Sequence, residues 1–362
     1  MRLLVLITDA FGGNGGIALY NKDLLTALCN LPNCEKIIAI PRMVNQDPEP
    51  IPEKLIYLIK GKGSKFNYLK TILHVIRKDI KFDLMICAHI NLLPIAYLLK
   101  IYLKIPIILE LYGIEAWKPP RKRYLHYLIK KIDTFVAISE VTKRRFLNWA
   151  SIDEKKIMVI PNAIHLERYG PGTKNPILME RYNLQEKSIL MTLGRMEATE
   201  RYKGFDKVIE ILAELSLDVP NITYLIVGEG NDRKRLMEKV ERLGLTKHVI
   251  FTGYILETEK VDYYRLADVF IMPGKGEGFG FVFLEAMACG IPVIASKTDG
   301  SFEAVLGGKL GLVVDPDNTH EIKVAILEAL KRPKGIPAGL EYYSFDNFML
   351  RVQVAVNNLI KT

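Results

Sequence analysis

Short apolar runs alternate with longer segments of helical period along most of the chain. Residues 3–8, 36–40 and 83–88 have the apolar character of buried strands, and residues 16–30 and 65–81 between them have the 3.6-residue period of helices. Strands that are apolar on both faces and separated by helices are typical of a parallel sheet covered by helices on both sides. The sequence therefore predicts an α/β fold.

The same alternation continues, stops once and restarts. Further predicted strands are 106–111, 134–138, 188–193, 222–227, 249–252, 269–272, 292–295 and 311–314, and further predicted helices are 92–104, 121–131, 205–217, 233–243, 281–289, 320–331 and 345–360. A stretch rich in proline, glycine and asparagine near residues 161–176 interrupts the pattern. The 362 residues are enough for two domains, so we expect two doubly wound halves joined near residue 170. Ligands of such sheets bind beyond the carboxyl ends of the strands.

The charge is distributed unevenly between these halves. Of 50 Lys and Arg and 41 Asp and Glu, residues 1–168 hold 26 and 15, and the remainder hold 24 and 26. A basic first half suggests an anionic partner such as nucleic acid, anionic lipid or a phosphorylated substrate. The four cysteines form no CxxC pair, which argues against both a cysteine-rich zinc module and a disulfide scaffold.

Two apolar segments could be mistaken for targeting or membrane signals. Five apolar residues after Met1 and Arg2 are too few for a secretion signal, so we expect a cytoplasmic protein. Residues 84–99 are uncharged but shorter than the roughly 20 residues that span a bilayer. His89, Asn91 and Pro94 also interrupt them, and we predict a buried strand followed by a helix.

A glycine-rich turn follows the first predicted strand. Residues 12–16 read Gly-Gly-Asn-Gly-Gly, and such a backbone can approach a phosphate at the start of the following helix. Residues 13–18 also fit the dinucleotide pattern G-x-G-x-x-A. However, Pro41 and Arg42 stand after the second strand, where that pattern requires an acid. Nicotinamide binding is therefore disfavoured, and a tight turn without a ligand is the alternative.

Two glutamates eight residues apart give the strongest signal of chemistry. Glu277 precedes a predicted helix and Glu285 lies within it. At 1.5 Å per residue they would be ~12 Å apart in a helix, too far for a shared metal or a glycosidase pair. They could suit the two ends of an elongated ligand, with the Gly278 and Gly280 amides facing a phosphate. The alternative is two surface glutamates, one of which caps a helix.

The segment 277–290 resembles the E-x7-E segment of family 4 glycosyltransferases, which are retaining enzymes of GT-B architecture. Segments 15–20, 159–163, 193–195 with 203–204, 227–230 and 251–254 match other motifs of that family in the same order. The resemblance implies the GT-B fold, two Rossmann-like domains facing across a cleft. Residues 1–168 plus 345–362 would bind the acceptor, and residues 169–344 would bind a nucleotide-sugar donor.

The resemblance also implies roles for individual residues. Arg195 and Lys203 would hold the diphosphate, and Glu285 the ribose hydroxyls. Fixed cations there would stabilise the charge that bond cleavage leaves behind. The other implied binding residues are Glu277 with the backbone of Gly278, Phe279 and Gly280 for the transferred sugar, Tyr254 and Ile255 near the base, and Gly15 and Gly16 in the N-terminal glycine loop.

The chain departs from the family pattern at two places. Tyr112 stands where the family has a histidine; it could contact sugar or acceptor, or only pack, and a phenol of pKa ~10 is a poor base near neutral pH. Arg195 and Lys203 are eight residues apart, wider than usual, so Arg201 could replace a member of the pair.

The resemblance, together with these features, implies a retaining, metal-independent hexosyltransferase acting in glycan biosynthesis on a UDP- or GDP-sugar and a sugar or lipid-linked acceptor. A GT-B-shaped sugar-nucleotide epimerase and a non-catalytic sugar-nucleotide binding module are the alternatives. We expect no metal site, because the six histidines form no cluster and Asp315-Pro316-Asp317 has the composition of a turn. We also expect no nucleic acid.

Basic stretches of the first half leave the membrane question open. Residues 54–81 carry eight Lys or Arg and one acid, and residues 118–131 carry six Lys or Arg interleaved with Tyr124, His126 and Tyr127. These could form a peripheral surface for anionic lipid on the inner face of the cell membrane, or a simple solvated face.

Overall fold

The computed structural model describes residues 1–78 and 80–360 and divides into two compact units. The N-unit comprises Met1–Ala163 and the final helix, and the C-unit comprises Ile164–Ser344. The division falls slightly before the predicted junction at 168/169. Ile164 already pairs with Ser344, and its N–H donates to the Tyr343 carbonyl over 2.7 Å. Residue 79 of one predicted helix and the terminal residues 361–362 lie outside the described residues.

The N-unit contains a seven-stranded, wholly parallel sheet of order β3-β2-β1-β4-β5-β6-β7. Its strands are β1 (Arg2–Ile7), β2 (Lys36–Pro41), β3 (Leu55–Tyr57), β4 (Leu84–Ala88), β5 (Ile107–Leu111), β6 (Thr134–Ala137) and β7 (Ile157–Val159). The helices between them are α1 (Gly16–Cys29), α2 (Lys65–Ile76), α3 (Leu93–Leu103), α4 (Ile114–Trp117), α5 (Arg123–Ile129) and α6 (Glu140–Ala150). The central strands β1, β4 and β5 are almost wholly buried, as their apolar sequences predict.

The C-unit repeats this plan with a six-stranded parallel sheet of order β10-β9-β8-β11-β12-β13. Its strands are β8 (Ser188–Leu193), β9 (Ile222–Val227), β10 (Val249–Gly253), β11 (Val269–Ile271), β12 (Val293–Ser296) and β13 (Leu312–Val314). Its helices are α7 (Pro176–Arg181), α8 (Phe205–Asp218), α9 (Arg233–Arg242), α10 (Lys260–Leu266), α11 (Phe281–Ala288), α12 (Ser301–Ala304) and α13 (Thr319–Ala329).

The last helix, α14 (Phe345–Ile360), belongs to the N-unit although the chain reaches it from the C-unit. Phe348 is buried, and its ring packs edge-on against Tyr20 of α1 with centroids 5.5 Å apart. Val352, Ala355 and Val356 are buried along the same helix. Their spacing of three or four residues places them on one apolar face, which explains why α14 packs rather than remaining a free tail.

The two parallel sheets confirm the predicted α/β class, and residues 84–99 form strand β4 followed by helix α3, as predicted. No helix in the described part of the chain is long and apolar enough to cross a membrane. The four cysteines are free and buried.

Candidate functional site

The predicted cation pair is brought together in the C-unit by a third residue. Arg195 follows strand β8, and Lys203 ends a short 3-10 segment, Ala198–Lys203. One Glu200 oxygen lies 2.5 Å from Arg195 Nη2 and the other lies 2.6 Å from Lys203 Nζ. The fold of the 3-10 segment thus brings the two cations to the same glutamate, although they are eight residues apart in the sequence.

The loop that carries Lys203 packs closely on the loop that leads to Glu277. At Gly204, where φ is +87°, a Cβ atom would come within 2.5 Å of the Pro273 carbonyl oxygen. The Lys275 N–H donates to the Tyr202 carbonyl over 2.9 Å. A glycine is required at 204 both for the positive φ and for this close approach.

Glu277 is fixed through its backbone and lies in the field of the cation pair. Its N–H donates to Asp299 Oδ2 over 2.9 Å, and its carbonyl accepts from the Gly300 N–H over 2.8 Å. Burial raises the pKa of the Glu277 carboxyl to about 7; Lys203 acts in the opposite direction, and the Asp299 carboxylate adds to the increase. The Glu277 carboxyl therefore changes protonation near neutral pH. Its ionised form can accept a hydrogen bond from a hydroxyl, and its protonated form can donate one.

The residues after Glu277 present backbone rather than side chains. Phe279 is buried with its ring against Tyr343, centroids 5.3 Å apart, so its side chain serves the core. Gly280 has φ +96° and directly precedes α11, where a Cβ atom would lie 2.7 Å from the Phe283 ring. The amides at the start of α11 carry the partial positive charge of a helix N-terminus.

Glu285 is fully buried and lies in a separate cluster of polar side chains. Its carboxylate accepts from Tyr264 Oη over 2.6 Å and from Tyr169 Oη over 3.1 Å, and it contacts Lys260 Nζ at 3.1 Å. Burial opposes the charge of Lys260, but Glu285 and Glu257 outweigh that effect and raise the pKa of the ammonium. Glu285 is thus a buried acid with a cation beside it, suited to hydrogen-bond a polar ligand group.

Sequence reasoning missed the partners of both glutamates. Asp299 precedes Gly300, where a Cβ atom would lie only 2.1 Å from the Gly278 carbonyl oxygen. A glycine at this position therefore lets the two loops pass close to each other. Lys260 and Tyr264 lie four residues apart on α10, a helix that the apolar pattern did not predict. Their spacing puts both side chains on one helix face, which is the signal that could have identified them.

Three other predicted residues of the C-unit occupy simpler positions. Tyr254 follows β10 with its side chain 70% exposed, and Ile255 beside it is half-buried. Arg201 donates from Nη2 to Asp232 Oδ1 over 2.8 Å. That contact ties the 3-10 segment to the start of α9, whereas Arg195 and Lys203 share Glu200.

The N-unit glycines differ in what requires them. Gly15 has φ +89° immediately before α1, and a Cβ atom there would meet nothing within 4 Å. Gly16 begins the helix. Gly13 is instead crowded, since a Cβ atom would lie 2.9 Å from Ala18 and from Asp9. The start of α1 is therefore open above Gly15 and Gly16, and its amides are available to a ligand.

Tyr112 directs its hydroxyl into the N-unit. Tyr112 Oη donates to Asn21 Oδ1 over 2.7 Å, and Asn21 Nδ2 donates to the Asp9 carbonyl over 2.8 Å. The ring packs edge-on against Tyr20. Burial, assisted by the Glu110 carboxyl, raises the pKa of Tyr112 well above its usual value. These contacts link strand β5 to α1 and leave the phenol a hydrogen-bond donor.

His89, which belongs to no histidine cluster in the sequence, directly follows strand β4 in the N-unit. Its Nδ1 accepts from the Asn91 N–H over 3.0 Å, which places the proton of the neutral ring on Nε2. Burial lowers the pKa of the imidazole. Among the described residues, no group of three or more His, Cys, Asp or Glu side chains is arranged to hold a metal ion. The predicted turn at Asp315–Asp317 is present, because the Asp317 N–H donates to Asp315 Oδ1 over 2.9 Å.

Family models match both halves of the chain. The model described as Glycosyltransferase Family 4 matches residues 14–168, and the model described as Glycosyl transferases group 1 matches residues 176–341.

Curated relatives carry transferase names. A GDP-mannose-dependent alpha-(1-6)-phosphatidylinositol monomannoside mannosyltransferase of Mycolicibacterium smegmatis is 32% identical over 263 residues, which is 69% of this chain and 68% of that protein. A protein of the same name from Mycobacterium tuberculosis is 33% identical over 206 residues; these make up 55% of this chain and about half, 52%, of that relative.

A solved structure shows the same fold. The structure of Anabaena HepE in complex with UDP and glucose superposes with a TM-score of 0.77 over 99% of this chain and 100% of that one, at 19% identity. The comparisons confirm the predicted GT-B fold and transferase activity, and they give no support to the epimerase or the binding module. Two matching family models and a relative at 32% identity over two thirds of its length show that this chain belongs to the family 4 glycosyltransferases.

Proposed function

We propose that the chain transfers a hexose, with retention of configuration, from a nucleoside diphosphate sugar to an acceptor hydroxyl. The observation that carries this proposal is the grouping of Arg195, Lys203 and Glu277 in the C-unit. Two cations beside an acid that titrates near pH 7 suit a diphosphate joined to a sugar. Residues 1–168 plus 345–362 are proposed to bind the acceptor, and residues 169–344 the donor.

In this proposal the cation pair provides the main electrostatic assistance. Breaking the sugar–phosphate bond leaves negative charge on the diphosphate, and cations already fixed in place stabilise it without reorganisation. Lys203, whose side chain is only 11% exposed, provides the fixed charge, and the exposed Arg195 provides several further donors. We propose that these two side chains make a metal unnecessary.

The other predicted residues are assigned to parts of the donor. Glu277 and the backbone of Gly278, Phe279 and Gly280 bind the transferred sugar, and Glu285 binds the ribose hydroxyls. Tyr254 and Ile255 border the base. A carboxylate has about four acceptor positions, so Glu285 can accept from ribose in addition to its three protein contacts.

Retention is proposed to proceed on one face of the sugar. The bond between the anomeric carbon and the phosphate oxygen breaks, the acceptor oxygen bonds to that carbon, and the leaving phosphate takes the acceptor proton. Tyr112 supports this chemistry from the acceptor side by fixing Asn21 and the start of α1, near Gly15 and Gly16, rather than by accepting a proton.

The relatives suggest which substrates to test first. Because two of them are named for GDP-mannose and a phosphatidylinositol mannoside, we propose a GDP-sugar as the first donor class, a UDP-sugar as the second, and a lipid-linked or growing glycan as acceptor.

The test is turnover of a panel of GDP- and UDP-sugars with a phosphatidylinositol mannoside acceptor, with the anomeric configuration of the product read by NMR. Glu277→Gln should lower kcat by on the order of 10²-fold, whereas Glu238→Gln on the exposed face of α9 should leave it unchanged. An inverted product would exclude retention. Equal activity in the two variants would remove the role of Glu277.

A second proposal concerns the membrane and rests on exposed side chains of the N-unit. Phe66, Leu69 and Leu73 lie on one face of α2 and are all exposed, Phe66 by 72%. Tyr124 and Tyr127 are exposed on α5, within the basic residues 118–131. Apolar and aromatic side chains surrounded by lysines suit an anionic lipid surface. We therefore propose peripheral association with the inner face of the cell membrane.

Vesicle flotation tests this proposal. Binding to phosphatidylglycerol vesicles should exceed binding to phosphatidylcholine vesicles and should weaken with salt. Phe66→Ser combined with Leu69→Ser should abolish it, while Leu217→Ser, an exposed leucine of the C-unit, should not. If binding depends neither on lipid charge nor on these substitutions, the basic stretches are better explained as a solvated face of the N-unit.

A further inference from the structure

Glu200 is the feature of the donor site that the proposed function does not use. Its side chain is 15% exposed, and its two oxygens contact the two cations separately, at 2.5 Å and 2.6 Å. No motif of the chain singles out this residue. It nevertheless determines where the guanidinium of Arg195 and the ammonium of Lys203 lie relative to each other.

The two cations differ in how freely they can leave Glu200. Lys203 is largely buried, and its Nζ also donates to the Arg195 carbonyl over 3.4 Å. Arg195 is 72% exposed and has five N–H donors, of which one end reaches Glu200. A ligand can therefore engage Arg195 while Glu200 stays beside Lys203. Glu200 then remains as a negative charge near the bound phosphates.

That remaining charge acts differently on donor and product. A nucleoside diphosphate sugar carries one charge on each of its two phosphates. Once the sugar has left, the terminal phosphate can lose a second proton with a pKa of about 6, so the product is more negative near pH 7. A nearby carboxylate repels the more highly charged species more strongly.

We propose that Glu200 is a positioning residue that holds Arg195 and Lys203 in place and weakens the binding of the nucleoside diphosphate product relative to the donor. By this means it promotes product release. The inference rests on the proposed function, because it requires a donor diphosphate at the cation pair. It adds a residue that determines specificity between the two ligands.

The experiment compares Glu200→Gln with wild type. The amide keeps the size and hydrogen-bonding reach of the side chain but removes its charge. We expect the Kd of GDP or UDP to fall on the order of tenfold and the donor KM to fall only about threefold. Product inhibition should then increase, and kcat should fall if release limits turnover.

Two further variants make the result specific. Glu200→Asp retains the charge and should restore the wild-type ratio of product Kd to donor KM. Glu197→Gln removes the same charge from the same loop but lies outside this ion-pair cluster, and should leave the ratio unchanged. A melting curve for each variant establishes that it is folded. If Glu200→Gln does not fold, Glu200→Ser replaces it as the uncharged variant, and the ratio of product Kd to donor KM should fall in the same way.

The outcomes separate this inference from the proposed function. If wild type binds neither GDP nor UDP and turns over no sugar nucleotide, the proposed function fails. If wild type binds one of them but Glu200→Gln changes product and donor binding by the same factor, or weakens product binding, only the inference about Glu200 is overturned. Where Glu200→Ser is the uncharged variant, an unchanged ratio overturns it equally.

Discussion

Two buried glutamates, one in each unit, lie in opposite surroundings. Glu285 in the C-unit is 1% exposed and is held by two phenols and the ammonium of Lys260. Glu110 in the N-unit is 2% exposed, and within the described residues its carboxyl accepts a single hydrogen bond, from Tyr20 Oη over 3.4 Å. Burial raises the pKa of Glu110 to about 8.

The difference between the two glutamates is whether a cation lies beside the buried carboxyl. A buried carboxyl without a cation becomes neutral, and Glu110 lines a small apolar cavity with Leu24, Ile108 and Val352. A buried carboxyl with a cation keeps a polar site ready for a ligand. In the C-unit, Glu200 beside Lys203 is a second largely buried carboxylate–cation pair, whereas the interior of the N-unit near Tyr112 relies on neutral hydrogen bonds.

Removing the cation from Glu285 should give the largest effect on stability. Lys260→Met leaves Glu285 buried with only its two phenols, and breaking a mostly buried pair costs about 2–4 kcal/mol. Urea unfolding followed by circular dichroism measures the loss. Lys234→Met, in an exposed pair with Glu238, should change the free energy of unfolding by under about 0.5 kcal/mol. Equal losses of unfolding free energy in the two variants would show that the Lys260–Glu285 pair stabilises the fold no more than an exposed pair does.

Substitution of Glu110 is expected to stabilise the protein at high pH, whereas substitution of Lys260 is expected to destabilise it. The folded protein keeps a proton on this group up to about pH 8, while the unfolded chain releases it near the ordinary value of 4.5. Its contribution to stability is therefore complete below about pH 4.5 and is lost as the pH rises to 8. Glu110→Gln should remove this dependence and stabilise the protein at pH 8.5 by on the order of 2–3 kcal/mol.

Melting temperatures across pH 5–9 measure this difference, with Glu53→Gln on the N-unit surface as the control. If Glu110→Gln is less stable than wild type at pH 8.5, the raised pKa of Glu110 in the folded protein is contradicted.

Substitution of Glu285 should weaken donor binding, whereas substitution of Glu110 should not. Glu285→Gln weakens a charge-assisted hydrogen bond to the proposed ribose, so the donor KM should rise about tenfold with kcat nearly unchanged. Glu110→Gln, assayed at pH 7, should leave the donor KM as it is. Initial rates over a range of donor concentrations separate these cases. A raised KM in both variants would mean that a general loss of structure is responsible.

The smallest effect is expected at Tyr254. This exposed ring follows β10, and Tyr254→Ala should raise the donor KM about threefold while changing the free energy of unfolding by less than about 0.5 kcal/mol. Tyr102→Ala, a similarly exposed tyrosine of α3, should leave KM unchanged in detergent-free solution. An unaltered KM for Tyr254→Ala would place the base elsewhere.

Most of the fold was predictable because the chain's apolar pattern follows its elements closely. Strands β8 and β9 have the predicted limits, and so does α14. The missed elements lacked that signal. Helix α6 has the polar sequence EVTKRRFLNWA, in which only Val141, Thr142, Phe146 and Ala150 are buried. Strand β3 has three residues at the edge of the sheet, too few to show alternation.

The candidate site was predictable to the extent that its residues lie in motifs. Arg195, Lys203, Glu277 and Glu285 were named as candidates from the motifs of the chain, and the first three lie close together in the C-unit. Glu200, Asp299 and Lys260 were not, because their importance depends on contacts made by folding. Phe279 was named with the sugar-binding backbone, and its burial shows why its side chain cannot contribute.

The proposed function depends most on the binding of a diphosphate by the cation pair. Calorimetric titration of GDP and UDP into wild type, Lys203→Ala and Lys207→Ala tests it directly, since Lys207 is a more exposed lysine of the neighbouring helix α8. We predict that one nucleotide binds wild type and Lys207→Ala alike, and that Lys203→Ala weakens its binding by on the order of 10²-fold. Equal affinity in all three proteins would contradict the account.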